Sequence, residues 1–437
     1  MIMHDLVRKI QNQFILGACL GAIALTNSSA IAQVASHPEA KSPLKENPYI
    51  KHTDPWRWDV RSQIFLKSSF EARTTRVRSP RKQEASELSI RWPLEDLEVI
   101  YPVMREGGFF WSPNKEVTVS IRVDDHVLHP ERKQMFTKGV RAEYTLWRAE
   151  IKDEVSAIHL IHDSHIVVAD TEFNEKKARN LAWPDSWDAE ASRFLTPIVD
   201  SVGEEVDADA EETIKTLLDF WIDNGDPKAL PEVDLVKYLS GKVIEHVQVR
   251  NPPAEFATRT TGVEARSDFS FIAGVNWSGF VVRPANIVAR EPKGSKHDLA
   301  TLLTSTLRSA GVPARTVLCI NQRENSTLEK MVSMVEFAMY DPERKLTLWV
   351  PIDIDRLRLT GKRTAQYKQP WLYFGSHDEL NDYIPVSFYF HPPASYRAYD
   401  LPALFGLRST SDLPDYAVQR LLIDPQVSPI TAQKKTP

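Results

Sequence analysis

Cysteine is the most reactive common side chain, and this chain of 437 residues has two, Cys19 and Cys319. A thiolate nucleophile needs an electropositive, accessible setting, such as a helix N-terminus or a neighbouring imidazolium. Cys319 lies in Arg315-Thr316-Val317-Leu318-Cys319-Ile320. That run reads as a buried strand, so Cys319 is expected to be a small apolar core residue. Histidines cluster densely once, in His159-Leu160-Ile161-His162-Asp163-Ser164-His165. If Asp163-Ser164 is a two-residue hairpin turn, His162 and His165 become a cross-strand pair able to share a metal ion. No third ligand is set by spacing, and polar residues flanking a turn are the competing expectation.

A second polar group is Lys296-His297-Asp298 after Gly294-Ser295, at the start of an apolar stripe formed by Leu299, Leu302, Leu303, Leu307 and Ala310. The spacing predicts a helix from about 296 to 310, stopped by Gly311. A cation at its N-terminus opposes the helix dipole by about half a kcal/mol. Lys296 is therefore expected either to be solvated or to hold a ligand carboxylate beside backbone N–H groups. His297 is expected at the surface or as a supporting residue.

The elements that position these residues read as follows. Short alternating runs from Trp56 to about Asp170, such as Val117-Thr118-Val119-Ser120-Ile121-Arg122-Val123, predict strands. Asp209 with Glu212 resembles a capping box before Ile214, Leu217, Leu218 and Trp221, and Pro231 opens a further helix carrying Val233, Val236, Val243 and Val247. Arg315–Ile320, Met331–Tyr340 and Leu346–Ile352 follow as strands. Helices followed by antiparallel strands make an α+β core. The pair Gly107-Gly108 with Phe109-Phe110-Trp111 is expected to plug a core, the alternative being an aromatic loop that grips sugar or peptide. The aromatic run Trp371–His377 and Ile384–His391 are expected to pack against the core, or to line one wall of a cleft.

The segment Gly294-Ser295-Lys296-His297-Asp298-Leu299-Ala300, continuing to Arg308-Ser309-Ala310-Gly311-Val312-Pro313-Ala314-Arg315, resembles the transglutaminase-like superfamily. There, Gly-x-Cys-x-Asp-x-Ala opens a helix that ends in Arg-x-x-Gly-Ile-Pro-Ala-Arg. Met334-Val335-Glu336-Phe337 and Leu348-Trp349-Val350-Pro351-Ile352-Asp353 match the two strands that follow in that family. The resemblance implies a papain-like transglutaminase core, α+β, preceded by an all-β sandwich-like domain. It places the family's cysteine at Lys296, its histidine at Val332 and its carboxylate at Asp353. Lysine cannot be the thiolate and valine cannot move a proton, so the triad is vestigial at two positions.

The N-terminus reads as an export signal. Arg8 and Lys9 precede an apolar run from Phe14 to Leu25, and Ala30-Ile31-Ala32 supplies a cleavage pattern, which would remove Cys19. The remaining single thiol can form no internal disulfide. A periplasmic or extracellular location follows as an expectation. The predicted organisation is 1–32 leader, 33–55 lead-in, 56–174 β domain, 175–202 connection, 203–360 transglutaminase-like core and 361–437 C-terminal extension packing on that core. Net charge is −5, so nucleic acid is not an expected partner. No cofactor and no membrane span after leader removal are expected. The expected function is that of an exported transglutaminase-like pseudoenzyme, a scaffold or a binder of a polypeptide or peptidoglycan-like ligand through Lys296, His297 and Asp353. The alternative is an active hydrolase or acyltransferase using a displaced catalytic residue.

Overall fold

The computed structural model describes residues 44, 47–67, 92–102, 104–112, 118–123, 126–128, 131–136, 143–155, 157–196, 208–249, 271–272, 275–276, 282–323, 331–388, 406–409 and 417–429. The leader at 1–32, Cys19, most of the lead-in and the end of the aromatic segment at 389–391 lie outside these residues. Among the described residues, eight strands come first: β1 (Ile50–Lys67), β2 (Trp92–Pro102), β3 (Phe110–Trp111), β4 (Thr118–Val123), β5 (His126–Leu128), β6 (Glu131–Phe136), β7 (Glu143–Val155) and β8 (Ala157–Phe173). Helices α1 (Glu175–Ala178), α2 (Ala208–Trp221) and α3 (Glu232–His246) follow, then the short strands β9 (Gln248–Val249), β10 (Phe271–Ile272) and β11 (Val275–Asn276). Next come α4 (Ala285–Arg290), β12 (Lys293–Gly294) and α5 (Lys296–Ser309). The chain continues through β13 (Ala314–Asn321), β14 (Met331–Asp341), β15 (Leu346–Ile352), α6 (Ile354–Leu359), β16 (Tyr383–Ser387), β17 (Gly406–Ser409) and β18 (Ala417–Pro429).

The core sheet runs β15-β14-β13-β16 and is antiparallel throughout. Its two faces are covered differently. Val335, Phe337 and Met339 of β14 pack with Leu299, Leu302 and Leu303 of α5 and with Val236 and Leu239 of α3. On the other face, Val317 and Met334 pack with Trp58 and Val60 of β1, Phe110 of β3 and Ile166 and Val168 of β8. Because both faces are buried, every position of β13 is buried, which is why its sequence is a near-continuous apolar run rather than an alternating one. Each large aliphatic side chain fully buried in this way contributes about 1.5–3 kcal/mol.

The eight N-terminal strands form parts of two further sheets, ordered β18-β1-β8-β4-β5 with β3 on β8, and β17-β2-β7-β6. The C-terminal extension therefore divides. Trp371, Phe374, Leu380, Tyr383 and Ile384 are buried among core residues, as expected. Strands β17 and β18 instead leave the core and pair with β2 and β1. Extended segments with unpaired N–H and C=O groups are satisfied by an open strand edge, and the N-terminal sheets supply one.

Two sequence expectations are revised. Helix α2 already includes Ala208, so Asp209 lies in its first turn and is not the capping residue. Asp163-Ser164 is not a turn, because β8 runs unbroken through it, with Asp163 opposite Arg61 of β1 and Thr118 of β4. Arg61 Nε donates to Asp163 Oδ1 at 2.7 Å, so the polar residues serve strand pairing. Residues three apart on one strand point to opposite faces, so His162 and His165 form no cross-strand pair for a metal. His165 Nδ1 bonds Asp59, while His162 is buried.

The Gly107-Gly108 loop plugs the junction between β3 and the core sheet. Phe109 and Phe110 are fully buried, which favours the packing role over an exposed aromatic grip. A Cβ on Gly108 would stand 2.2 Å from the Trp349 carbonyl oxygen, which is backbone and cannot step aside. Gly108→Ala is expected to destabilise the protein by about 1–3 kcal/mol. An unchanged urea midpoint would contradict this packing. Burial holds the His162 imidazole down at about 4, whereas an unfolded histidine titrates near 6.5. The unfolded chain thus takes up the proton first, so this stability is complete above about 6.5 and lost as pH falls toward 4. The loss is about 3 kcal/mol. Urea midpoints against pH should flatten over that window in His162→Leu and stay steep in the parent.

Candidate functional site

Helix α5 begins with a reciprocal cap. Ser295 Oγ accepts from the His297 and Asp298 N–H groups at 3.2 and 3.3 Å, and Asp298 Oδ2 accepts from the Ser295 N–H at 3.0 Å. Asp298 is buried and also receives the Arg283 backbone N–H at 2.8 Å and Arg283 Nε at 3.0 Å. Arg283 in turn donates to the carbonyls of Glu291 and Lys293, tying α4 to the start of α5. Gly294 is required by close approach, since a Cβ there would lie 2.3 Å from Asp298 Oδ2. The Gly294 and Asp298 of the motif therefore act in building the helix start.

Lys296 is the first residue of α5 and is half-buried. Of the two expectations for His297, a surface or a supporting residue, the structure leaves the second. The residue is 3 % exposed and turned onto β14, where Nδ1 lies 2.7 Å from Ser333 Oγ. Burial, and then the neighbouring Lys296 charge, push its imidazole well below the usual histidine range, so the ring is neutral at pH 7. Val332, which the resemblance would put at the family's histidine position, is half-buried and packs with the cluster on the far face of the sheet, opposite Cys319 in register. Cys319 is fully buried and its thiol is pushed up by burial, with the Glu336 and Asp353 charges adding to this. That is the reverse of what an activated thiolate needs.

Asp353 is 1 % exposed and committed to other partners. Its Oδ1 accepts the Arg356 N–H at 3.0 Å, capping α6, and its Oδ2 accepts from Tyr383 Oη at 3.1 Å. His377 Nε2 stands 3.5 Å from the same Oδ2, longer than a good hydrogen bond but close enough to act electrostatically. His377 Nδ1 accepts the Glu379 N–H, which leaves the ring proton on the nitrogen facing Asp353. Burial works to raise the Asp353 carboxyl, but His377, Arg356 N–H and Tyr383 outweigh it and hold it below the usual range. Asp353 thus has a histidine neighbour, delivered by the C-terminal segment and not by β14.

Residues 281–354 match the family model described as the transglutaminase-like superfamily. The core of this chain is transglutaminase-like. No curated protein matches the chain in sequence. Two solved structures are similar. One, a provisionally named cysteine protease from Cytophaga hutchinsonii, is 11 % identical over 87 % of this chain and 95 % of its own, with a TM-score of 0.44. The other, a provisionally named protease from Parabacteroides distasonis, is 12 % identical over 59 % of this chain and 46 % of its own, with a TM-score of 0.21.

Lys296 and His297 are adjacent, Val332 packs against the far-face cluster, and Asp353 caps α6. Ser333, His377, Tyr383 and Arg283 escaped the sequence reading. Ser333 directly follows a position singled out, but the motif ascribes no role to it. His377 and Tyr383 follow the motif at no fixed spacing. Among the described residues, no group of three histidine, cysteine or carboxylate side chains could hold a metal ion. Ser333→Ala would strand the buried His297 Nδ1, with an expected loss of about 1–3 kcal/mol. Thermal unfolding of the variant at the parent's midpoint would contradict that role for the bond.

Proposed function

We propose that this chain is an exported transglutaminase-like pseudoenzyme, located in the periplasm or outside the cell after leader cleavage near Ala32. The reading holds that it no longer runs cysteine chemistry and uses the remaining helix-start cleft to bind a polypeptide or peptidoglycan-like ligand, or to act as a scaffold. The observation that carries it is the replacement of the family's nucleophile and base by Lys296 and Val332, with Val332 absorbed into hydrophobic packing. Cys319, the one thiol among the described residues, is buried, which speaks against its serving as a displaced nucleophile. In this reading Lys296 offers its charge to a ligand carboxylate at the start of α5, supported by His297. Asp353 holds the framework behind it.

A second reading rests on one contact. His297 and Ser333 form a histidine–serine pair, each one residue beyond the family's cysteine and histidine positions, with the helix contributing the imidazole and the strand the hydroxyl. With Nδ1 as acceptor, such a pair has the form of a nucleophile and its base. Against it stands burial, since Ser333 is 5 % and His297 3 % exposed and an acyl carbon must reach Ser333 Oγ.

The deciding experiment combines amine-incorporation and peptide-hydrolysis assays with fluorophosphonate labelling of the leader-free protein. The pseudoenzyme reading expects silence in both assays, no label, and binding to peptidoglycan fragments or polypeptide that weakens about tenfold or more in Lys296→Ala. Turnover and labelling that both vanish in Ser333→Ala would replace it with the serine reading. Unchanged affinity in Lys296→Ala would remove Lys296 from the site.

A further inference from the structure

The segment that follows Phe374 returns across the N-terminal strands as a strap. His377 and Thr171 of β8 exchange both backbone hydrogen bonds, at 2.9 and 3.0 Å. Further along, Asn381 is the point of closure and is 5 % exposed. Its N–H donates to Asp170 Oδ1 of β8 at 3.0 Å, and its Nδ2 donates to Asp54 Oδ2 of β1 at 2.9 Å. Its carbonyl accepts the Trp58 indole N–H at 2.8 Å. The same strap carries His377 and Tyr383 to Asp353. Asp54 reaches Asn381 through an unusual backbone, with φ at 47°, where the register of β1 on β8 shifts between Thr53 and Trp56. Such an irregularity re-aims a side chain, and aspartate tolerates the left-handed region better than most residues. It puts a second carboxylate on the residue that Asp170 already holds.

Negative charge is in excess at this closure. Asp378, Glu379 and Asp382 of the strap lie beside Asp54 and Asp170. Arg323 pairs with Asp382 and stands 3.5 Å from Glu379, and Arg356 stands 3.5 Å from the other Glu379 oxygen. Among the described residues, no lysine or arginine pairs with Asp170, and His377 is the imidazole that acts on it. Burial pushes the Asp170 carboxyl up, and Asp54 and Asp378 add to this against the Asn381 N–H and His377. Burial also pushes Asp382 up, with Arg323 opposing and Glu379 and Asp54 adding. Asp353 is held below the usual range and stays ionised while these groups titrate. In an opened strap Asp170 meets water and returns toward the ordinary value of about 4. The closed strap therefore takes up the proton first as pH falls. Closure is weakest at neutral pH and strengthens down through the window above about 4.

We propose that residues 377–383 form an acid-closed strap, with Asp170 as its titrating group and Asp54 and Asp378 as the charges that loosen it when all three are ionised. Loosening frees His377 and Tyr383 from Asp353, so pH sets how firmly the start of α6 is covered. The strap works whether or not Lys296 holds a ligand, and whether or not the core has any chemistry.

The test is hydrogen exchange of the full chain at about pH 7 and about pH 5, corrected for intrinsic rates and read by mass spectrometry on peptides covering 377–388. Exchange of β14 is the internal standard, which removes changes in global stability. Relative to β14, the strap is expected to be about threefold to tenfold better protected at the lower pH. Asp170→Asn keeps an oxygen for the Asn381 N–H and removes the charge, so the strap should be tight at both pH values. Asp54→Asn, at an exposed residue, is the second variant and should raise protection at neutral pH by about twofold or more. Circular dichroism confirms the fold of each variant. Equal protection of the parent at the two pH values would overturn the proposal. So would an undiminished pH response in Asp170→Asn, or parental protection at neutral pH in Asp54→Asn, which decides the matter if Asp170→Asn does not fold.

Discussion

The structure turns on one buried ion pair. Arg315 leaves β13 and Glu336 leaves β14 on the face of the core sheet that the N-terminal strands cover, and both are almost fully buried. Two charges taken out of water stay there only if each finds a partner and the remaining donors and acceptors are filled. Arg315 reaches Glu336 at 2.8 Å and the Glu106 carbonyl at 2.6 Å, and its guanidinium stacks on Trp349 at 4.0 Å and Phe388 at 4.5 Å. The other Glu336 oxygen takes the Gly108 N–H at 2.7 Å. The glycine loop ahead of β3, the core strands and the segment after β16 thus converge on a pair that none of them could satisfy alone. Burial raises the Glu336 carboxyl against the pull of Arg315, so removing the arginine would leave an acid with no reason to remain ionised.

This arrangement explains what several residues of the transglutaminase-like motif do in the fold. Gly294 and Asp298 build the start of α5, Arg315 and Glu336 join the N-terminal strands to the core sheet, and Asp353 caps α6 while receiving Tyr383. Each is structurally necessary apart from any reaction. Val332 packs against the cluster on the far face of the sheet, and Lys296 opens α5.

The core helices and strands were legible because each carries a single dominant period. The apolar stripe of α5 repeats at helical spacing, and β13 is apolar throughout because both its faces are buried. Strand β8 was misread for a physical reason. His162, Asp163, Ser164 and His165 look like a turn by composition, but Asp163 bonds Arg61, Ser164 the Val60 carbonyl and His165 Asp59, contacts to β1 that composition does not reveal. The resemblance pointed to Lys296, Val332 and Asp353, whereas the residues that surround them could not be read from the motif. Ser333 reaches His297 only after β14 is laid against α5, and His377 reaches Asp353 only after the C-terminal segment returns across Thr171 of β8. No local spacing encodes either meeting.

The pairing of β18 with β1 joins stretches from opposite ends of the chain, with Trp56 opposite Pro429. Such a contact closes an exceptionally long loop, and it can form only when almost every residue has been made and delivered. Until then β1 presents an open edge along much of its length, the kind of edge that recruits strands from other chains. Synthesis and, if it occurs, passage across a membrane therefore leave a window in which this protein is most exposed to misassembly.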